Sequence, residues 1–282
     1  MKVLVTGATG FIGQHVIPQL LEHGCTVTAV ARDERKARGF AWFDRVQFIA
    51  CDIHSALGNS VNQFLQSEVV IHLAWSGLQN YGALFHFEEN LPADYRFLST
   101  LVKGGVGRLL VTGTCFEYGM QSGILSEDME TRPTNAYGFA KDTLRRQLEY
   151  LMVEQSFSLI WARLFYLYGD GQSENALLPQ LKAAVKRKDR IFNMSGGEQL
   201  RDYLPISEAA HFLVSLAMRN QSPGIVNVCS GKPISVRTLV DHWITDNDWS
   251  IIPNLGHYPY SSHEAMAFWG DRQKLDRLLA SR

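Results

Sequence analysis

The chain has little of what marks several classes of protein. Its four cysteines in 282 residues stand far apart without C-x-x-C spacing, so neither a disulfide framework nor a metal site is expected. Lysine and arginine number 27 against 28 aspartates and glutamates, and this balance offers no basic surplus for nucleic acid. No apolar run approaches the roughly 18 residues of a membrane-spanning helix. The opening residues do not resemble a secretory signal, and we expect a cytoplasmic, globular protein with a small-molecule partner, no nucleic acid and no membrane.

The most informative stretch present is the first one. Apolar β-forming residues 3–5 lead directly into Thr-Gly-Ala-Thr-Gly-Phe-Ile-Gly at 6–13, with glycines at G-x-x-G-x-x-G spacing. Such glycines permit a sharp turn, close approach of a pyrophosphate and tight packing of the following helix, whose N-terminus attracts phosphate. A tight turn that binds nothing is the alternative, but the strand before and the helix after favour dinucleotide binding. The residues assigned to the cofactor here are Gly7, Thr9, Gly10, Phe11, Ile12 and Gly13.

Strand and helix patterns alternate along the rest of the chain. This alternation predicts an α/β fold with a doubly wound parallel (Rossmann) sheet and a smaller, interleaved C-terminal substrate domain. We expect residues 1–165, joined by about 204–229, to form the dinucleotide-binding domain. Residues 166–203 and 230–282 are expected to form the substrate domain. The strand predicted at 224–228 would then rejoin the large sheet.

The ends of the next strands bear on the choice of cofactor. The strand predicted at 26–31 is followed by Arg32, whose guanidinium suits a 2′-phosphate, so we expect NADP(H) to be preferred. Asp33, one position later, keeps NAD(H) possible. Asp52 follows the third strand with Ile53 and is expected either to accept from the adenine amino group or to cap the next helix. Leu73 and Ala74 end the fourth strand, at the edge where the nicotinamide side of the cofactor would lie.

A candidate catalytic group follows the fifth strand. Tyr137 and Lys141 are four residues apart and would share one face of a helix. A lysine ammonium near a phenol lowers the phenol's pKa toward the range of a general acid or base. Thr114, at the strand end, offers a hydroxyl for the reacting oxygen. A solvent-facing pair is the alternative, but the glycine turn and the strand end favour catalysis.

At this point the sequence resembles the extended short-chain dehydrogenase/reductases, in the nucleotide-sugar epimerase, dehydratase and 4-ketoreductase group. The resemblance covers nearly the whole chain, and it rests on 6–13, 51–53, 72–74, Thr114, 137–141, 163–169 and 201–203. It implies that Tyr137 exchanges a proton with the sugar, that Lys141 also holds the nicotinamide ribose and that Thr114 orients the substrate oxygen. It also implies a nucleotide-sugar substrate and a homodimer. The residues that we assign to substrate binding are Trp75, Thr114, Cys115, Phe116, Tyr166, Arg201 and Arg272.

The reaction is narrowed by a departure from the family pattern. Family dehydratases carry an Asp-Glu pair directly after the strand-end threonine, where this chain has Cys115 and Phe116, so elimination of water is not expected. The expected reaction is reduction of the 4-keto group of a dTDP- or CDP-linked 4-keto-6-deoxyhexose. A 4-epimerase and a non-catalytic dinucleotide sensor are the alternatives. Arg201 resembles the family's pyrophosphate-binding arginine, with a structural pairing to Asp202 or Glu198 as the alternative.

The resemblance also implies which helices would form the dimer contact, since family members commonly dimerise through the two that here would be at 90–103 and 138–154. Leu144, Leu148 and Leu151 form an apolar stripe on the second helix. Such a stripe is explained equally well by a partner subunit and by packing against the chain's own core.

Overall fold

The computed structural model describes residues 1–55, 60–220, 222–260 and 264–280. Its strands are β1 (Lys2–Thr6), β2 (Thr26–Ala31), β3 (Gln47–Ala50), β4 (Val69–His72), β5 (Arg108–Thr114), β6 (Gly123–Leu125), β7 (Ser158–Leu164), β8 (Tyr166–Tyr168), β9 (Ile191–Asn193), β10 (Leu200–Pro205), β11 (Gly224–Val228), β12 (Pro233–Ser235), β13 (Ile252–Asn254) and β14 (Phe268–Gly270). Its α-helices are α1 (Gly13–Glu22), α2 (Glu34–Ala37), α3 (Ser60–Phe64), α4 (Leu91–Lys103), α5 (Ala136–Glu154), α6 (Leu177–Lys186), α7 (Ile206–Ala217), α8 (Val236–Asp246) and α9 (Gln273–Ala280).

A seven-stranded parallel sheet in the order β11-β7-β5-β4-β1-β2-β3 forms the centre of the molecule. Strands buried on both faces read as continuous apolar runs, and β1 shows the consequence. Val3 and Val5 face one apolar core, whereas Leu4 faces the other. The strand order reverses direction between β1 and β4, which is where doubly wound sheets bind ligands. The predicted Rossmann-type fold is confirmed.

Helices cover both faces of this sheet. The first core includes residues of α1, α7 and α9, and the second includes residues of α4 and α5. Leu144, Leu148 and Leu151 are buried in the second core, so inward packing accounts for the stripe that was also considered for a dimer contact. In the described residues, no helix combines the length and the apolar character that crossing a membrane requires.

The remaining strands form three small sheets at the carboxyl edge of the large one. They are β12-β10-β8, β13-β9 and β14-β6, and a separate apolar core packs α6 and α8 against β9. The strand at 224–228 joins the large sheet next to β7. The two-domain division stays a proposal. We now assign α9 to the dinucleotide-binding domain instead of the substrate domain, because its Leu275 is buried in the first core with residues of α1 and α7.

Candidate active site

The glycine turn joins β1 to α1, and the backbone around it is packed too closely for side chains at two of the glycines. Gly7 has φ +69°, and a Cβ there would stand 2.8 Å from the Ala74 backbone nitrogen. A Cβ on Gly13 would stand 2.4 Å from the Gly7 carbonyl oxygen. Both neighbours are backbone atoms that cannot move aside easily. The first and third glycines are therefore required by the turn and by the close approach of α1.

An open cleft of about 330 Å³ lies beside this turn. The cofactor residues predicted ahead of the fifth strand all line it: Gly7, Thr9, Gly10, Phe11, Ile12, Gly13, Arg32, Asp52, Ile53, Leu73 and Ala74. Arg32 is exposed at its rim. The Asp33 carboxylate instead accepts from the backbone N–H groups of Arg35 and Lys36, at 2.9 and 3.2 Å, and caps α2. Asp52 accepts from the His54 backbone N–H at 3.1 Å, so it orders a turn.

The wall of the cleft at the end of β4 is held by a buried polar cluster. The Thr6 hydroxyl accepts from the backbone N–H groups of Leu73 and Ala74, at 3.2 and 3.3 Å, and lies 3.0 Å from Nδ1 of His72. Nε2 of His72 approaches the Asp94 carboxylate at 3.2 Å, an ion-pair distance without hydrogen-bond alignment. Burial opposes ionisation of Asp94, but its histidine neighbours outweigh burial and hold its pKa below the usual value. His72 therefore has the structural role that a lone histidine commonly has.

Tyr137 lies in an aromatic surround at the start of α5. Ring centroids of Trp75, Tyr81 and His86 lie 5.9, 5.4 and 5.4 Å from its own, and that of Phe116 lies 6.4 Å away. Burial, aided by Tyr81 and a nearby carboxylate, raises the pKa of Tyr137 above its ordinary value, although a hydrogen bond with the Thr114 side chain acts against this. The predicted lowering of this pKa is wrong for the protein by itself, because desolvation of the phenolate dominates.

Lys141 stands one helical turn further along and is 1% exposed. Its ammonium donates to the Thr112 carbonyl oxygen at 2.9 Å and lies 4.0 Å from the centre of the Trp75 ring. Burial lowers the pKa of Lys141 to about 8, against the carboxylates of Asp94 and Glu117, which raise it. Trp75 also lines the cleft beside the glycine turn. This one ring therefore joins Tyr137 and Lys141 to the predicted cofactor site.

Thr114 ends β5 next to this pair. Its hydroxyl accepts from the Phe116 backbone N–H at 3.3 Å, and its own N–H donates to the Glu117 carboxylate at 2.9 Å. Cys115 is buried, and burial raises the pKa of its thiol. Neither Cys115 nor Phe116 offers a proton donor or acceptor for elimination near neutral pH.

The predicted substrate residues beyond Phe116 form a second group. The Tyr166 hydroxyl donates to the Glu264 carboxylate at 2.6 Å, and the Arg201 guanidinium donates to the same oxygen at 2.9 and 3.3 Å. Arg201 is 5% exposed, and its guanidinium lies 4.4 Å from the centre of the Phe268 ring. Its carboxylate partner is thus Glu264. The structural pairing that was the alternative for Arg201 is therefore present, but its partner is Glu264 and not Asp202 or Glu198.

Asp202 and Arg272 lie in other surroundings. The Asp202 carboxylate accepts from backbone N–H groups of Ser230 and Gly231, at 2.7 and 2.9 Å. The Arg272 guanidinium donates to Asp276 at 2.8 Å and lies 4.9 Å from the centre of the Phe212 ring. These contacts turn it toward α7 and α9, so the structure does not bring Arg272 to the group around Arg201.

Sequence reasoning missed three residues of this site. Tyr81 packs on Tyr137 and Phe116, and its backbone carbonyl accepts from the Tyr137 N–H at 2.9 Å. His86 accepts from the Trp75 indole N–H at 3.0 Å and orders the same loop. The composition of residues 76–89, rich in Gly, Tyr, Phe and His, is compatible with a substrate-facing flap and equally with a surface excursion. Glu264 gave no local signal, because nothing near it in sequence marks its contact with Arg201.

The residues present fit a dinucleotide. The glycine turn leaves space that a Cβ would fill, the N-terminus of α1 faces the cleft, and Arg32 stands at the rim. Helix N-termini and small residues at this point of a doubly wound sheet suit a pyrophosphate. Thr114, Tyr137 and Lys141 do not line this cleft themselves, and the last two are linked to it by their contacts with the Trp75 ring.

Comparison with known proteins agrees with this geometry. Residues 3–229 match the family model described as the NAD dependent epimerase/dehydratase family. A dTDP-6-deoxy-L-talose 4-dehydrogenase (NAD(+)) from Aggregatibacter actinomycetemcomitans is 30% identical over 272 residues, which cover 96% of this chain and 99% of the relative. A UDP-glucose 4-epimerase from Azospirillum brasilense is 26% identical over 264 residues, with 85% of this chain and 75% of the relative covered.

Solved structures give the same result. The chain is similar to that of MoeE5 in complex with UDP-glucose and NAD, with a TM-score of 0.83 and 27% identity over 99% of this chain and 92% of the other. A dTDP-glucose 4,6-dehydratase, DesIV from Streptomyces venezuelae, has a TM-score of 0.84 at 19% identity, over 100% of this chain and 92% of the other. The second likeness concerns the fold alone.

Proposed function

Because the chain belongs to the NAD dependent epimerase/dehydratase family and is an enzyme of the nucleotide-sugar epimerase/dehydrogenase type, we propose that it interconverts a hydroxyl and a keto group at C4 of a dTDP-linked 6-deoxyhexose. The working direction that we propose is reduction of the 4-keto sugar. The 30% identical relative supports the sugar class, since its name describes C4 oxidation in a dTDP-linked 6-deoxyhexose. Hydride transfer is reversible, so oxidation and reduction share one site.

One observation carries the proposal. Thr114, Tyr137 and Lys141 lie together at the carboxyl edge of the sheet, and Trp75 joins them to the cleft beside the glycine turn. The bound nicotinamide would supply the hydride. The protein's own part is then to hold the sugar oxygen and to exchange its proton.

We assign the role of proton donor to Tyr137. Its pKa lies above the ordinary value in the protein by itself, so the phenol is protonated throughout the neutral range but is a weak acid. Donation to the C4 oxygen therefore depends on positive charge that stabilises the phenolate. The Thr114 side chain, which is hydrogen-bonded to the Tyr137 phenol, would orient the C4 oxygen of the sugar. Lys141 would hold the cofactor ribose and place positive charge near the phenolate that remains after transfer.

The residues after Thr114 support a reductase over a dehydratase. Loss of water needs an acid and a base beside the sugar, and this chain has Cys115 and Phe116 there. The Phe116 ring lies 6.4 Å from both the Tyr137 and the Tyr166 rings. An apolar wall at this place would bind the sugar without transferring protons.

For the cofactor we propose a preference for NADP(H), with NAD(H) also accepted. Arg32 and Lys36 line the cleft at the end of β2, and the Asp33 carboxylate, the alternative contact for a ribose hydroxyl, caps α2. Arg32→Ala should raise KM for NADPH about tenfold and leave KM for NADH nearly unchanged, as expected for loss of one charge-assisted contact. Equal effects on both cofactors would refute the preference.

We also propose a homodimer in which α5 meets its counterpart in a second copy. Tyr150 and Val153, which are neighbours on one face of this helix, are 79% and 83% exposed, which is unusual for large apolar side chains that lie close together. Tyr150→Glu with Val153→Glu should yield a monomer by light scattering. A wild-type protein that is monomeric at micromolar concentration would refute the proposal.

The activity is tested by supplying a dTDP-4-keto-6-deoxyhexose with NADPH or NADH and following the loss of absorbance at about 340 nm. Stoichiometric oxidation of the cofactor with formation of a dTDP-6-deoxyhexose is expected. Conversion of a 4-hydroxy nucleotide-sugar into its C4 epimer, without net cofactor consumption, would identify a 4-epimerase instead. Dinucleotide binding without turnover of any nucleotide-sugar would support a sensor.

A further inference from the structure

A fully buried carboxylate lies directly behind the strand end that carries Thr114. Glu117 belongs to a short 3₁₀ helix, Cys115–Tyr118, that follows β5, and it is 0% exposed. Two side chains of the neighbouring strand β7 donate to it. The indole N–H of Trp161 lies 2.9 and 3.1 Å from its two oxygens, and Nε of Arg163 lies 2.6 Å from one of them.

The third donor to this carboxylate is the Thr114 backbone N–H, at 2.9 Å. In return the Thr114 hydroxyl accepts from a backbone N–H of the same 3₁₀ helix, and the two contacts form a capping box. Such a box satisfies N–H groups that the helix start leaves unpaired. Here it also fixes both the backbone and the side chain of Thr114.

Gly113 shows how closely this arrangement is packed. A Cβ on it would stand 2.2 Å from the Trp161 indole nitrogen and 2.4 Å from a carboxylate oxygen of Glu117. The strand end is thus pressed against the buried network with no room for a side chain. A shift of the Glu117 carboxylate would be transmitted to Thr114, because the two are joined by a hydrogen bond and no intervening space absorbs the movement.

The charge of Glu117 also reaches the proposed proton donor. It raises the pKa values of both Tyr137 and Lys141. Tyr81 and Cys115 act on Tyr137 in the same direction, and Asp94 does so on Lys141. Burial keeps such effects strong, since little water screens them.

We propose that Glu117, held by Arg163 and Trp161, is a positioning residue for the reaction, which fixes Thr114 at the reacting oxygen from inside the protein. This inference rests on the proposed function for its catalytic consequence. Its structural half, the hold on Thr114, is measurable without any substrate. The competing interpretation is an ion pair that stabilises the fold and leaves the chemistry unaffected.

Glu117→Gln is the informative change, because it keeps the size of the side chain and removes its charge. The matched control is Asp142→Asn, which removes a carboxylate that is 6% exposed and is paired with Arg145 at 2.7 Å. Asp142 lies on the same helix as Tyr137, and its own hydrogen-bond partners are the side chains of Thr131, Arg145 and Arg146. Trp161→Phe removes one donor to Glu117 and keeps its ion pair with Arg163, in case Glu117→Gln does not fold.

For Glu117→Gln we expect kcat to fall about 10- to 100-fold, as small misplacements of a reacting group do, with KM changed less than threefold. The basic limb of the kcat profile should move to lower pH, because a negative charge near Tyr137 and Lys141 is gone. Trp161→Phe should lower kcat about threefold to tenfold. Asp142→Asn should lose thermal stability but keep kcat and the profile. Equal kinetics in Glu117→Gln and Asp142→Asn would overturn the proposal.

Hydrogen exchange of the Thr114 amide separates this inference from the proposed function. We expect the Thr114 amide to exchange slowly in the wild type and at least tenfold faster in Glu117→Gln. If Glu117→Gln is unfolded, the faster exchange is expected in Trp161→Phe. Asp142→Asn should not change the exchange rate. If the wild type turns over no keto-sugar, the proposed function fails and this measurement still decides whether Glu117 holds Thr114. Unchanged Thr114 exchange in the folded variant would refute the hold itself.

Discussion

Lys141 should make the stability of the cofactor-free protein depend on pH in an unusual direction. The side chain is 1% exposed, and burial lowers its pKa from 10.5 to about 8. Between these two values the folded protein has released the proton while the unfolded chain still binds it. Since stability rises with pH wherever the unfolded state binds more protons, Lys141 contributes a gain in stability as the pH is raised.

The size of this gain follows from the two pKa values. A tenfold change in a proton-binding constant corresponds to about 1.4 kcal/mol, so raising the pH from 8 to 10.5 should add about 3 kcal/mol to the free energy of unfolding. Buried groups such as Cys115 and Tyr118 act with the opposite sign, because burial raises their pKa values. The Lys141 contribution is therefore obtained by comparing how the free energy of unfolding changes with pH in the wild type and in Lys141→Met.

Urea unfolding, followed by circular dichroism at intervals from pH 7 to 10.5, measures this difference. Near pH 7, Lys141→Met should have a larger free energy of unfolding than the wild type. The lost hydrogen bond to the Thr112 carbonyl oxygen reduces this advantage by about 1 kcal/mol. Its advantage should shrink as the pH rises. Lys103→Met, a change on the exposed end of α4, should track the wild type. Parallel curves for the wild type and Lys141→Met would refute the reasoning.

Three further outcomes are expected. Tyr137→Phe should lower kcat about 10²- to 10⁴-fold, the usual share of a general acid, with the dinucleotide dissociation constant within threefold; near-normal turnover would remove Tyr137 as proton donor. Gly13→Ala places a Cβ 2.4 Å from the Gly7 carbonyl oxygen and should weaken dinucleotide binding at least tenfold by fluorescence titration, whereas an unchanged affinity would contradict the packing argument. Arg201→Met should weaken dTDP binding at least tenfold by calorimetry without affecting the dinucleotide; equal dTDP affinity would leave Arg201 as the partner of Glu264 alone.

The central sheet could be predicted closely from the sequence. Strands β2 and β11 run over 26–31 and 224–228, as their apolar and β-branched patterns predict. The glycine turn could be predicted equally well, because its spacing follows from backbone geometry that only glycine permits. The cofactor residues predicted ahead of the fifth strand lie along one cleft because the carboxyl ends of parallel strands meet at one edge of the sheet.

The loop at 76–89 is a part of the site whose structure could not be predicted from the sequence. Residues 76–89 gave only a composition, and the order of the loop depends on contacts of His86 with Trp75 and with the Asn80 carbonyl. The π-helical segment at His86–Asn90, which leads into α4, was not predicted either. Its sequence resembles the start of an ordinary helix, whereas the side chains of His86 and Asn90 bond to the backbone carbonyl oxygens of Asn80 and Ser76.

The sequence by itself determined the strands, the turn and the spacing of Tyr137 and Lys141, because each is encoded in consecutive residues through backbone geometry and side-chain period. Only the tertiary structure decided the electrostatics of that pair and the partner of Arg201. Burial raises the pKa of Tyr137 where the lysine spacing had predicted a fall, and Arg201 pairs with Glu264, 63 residues away. Both depend on segments distant in sequence that exclude water together, and no local pattern records how they pack.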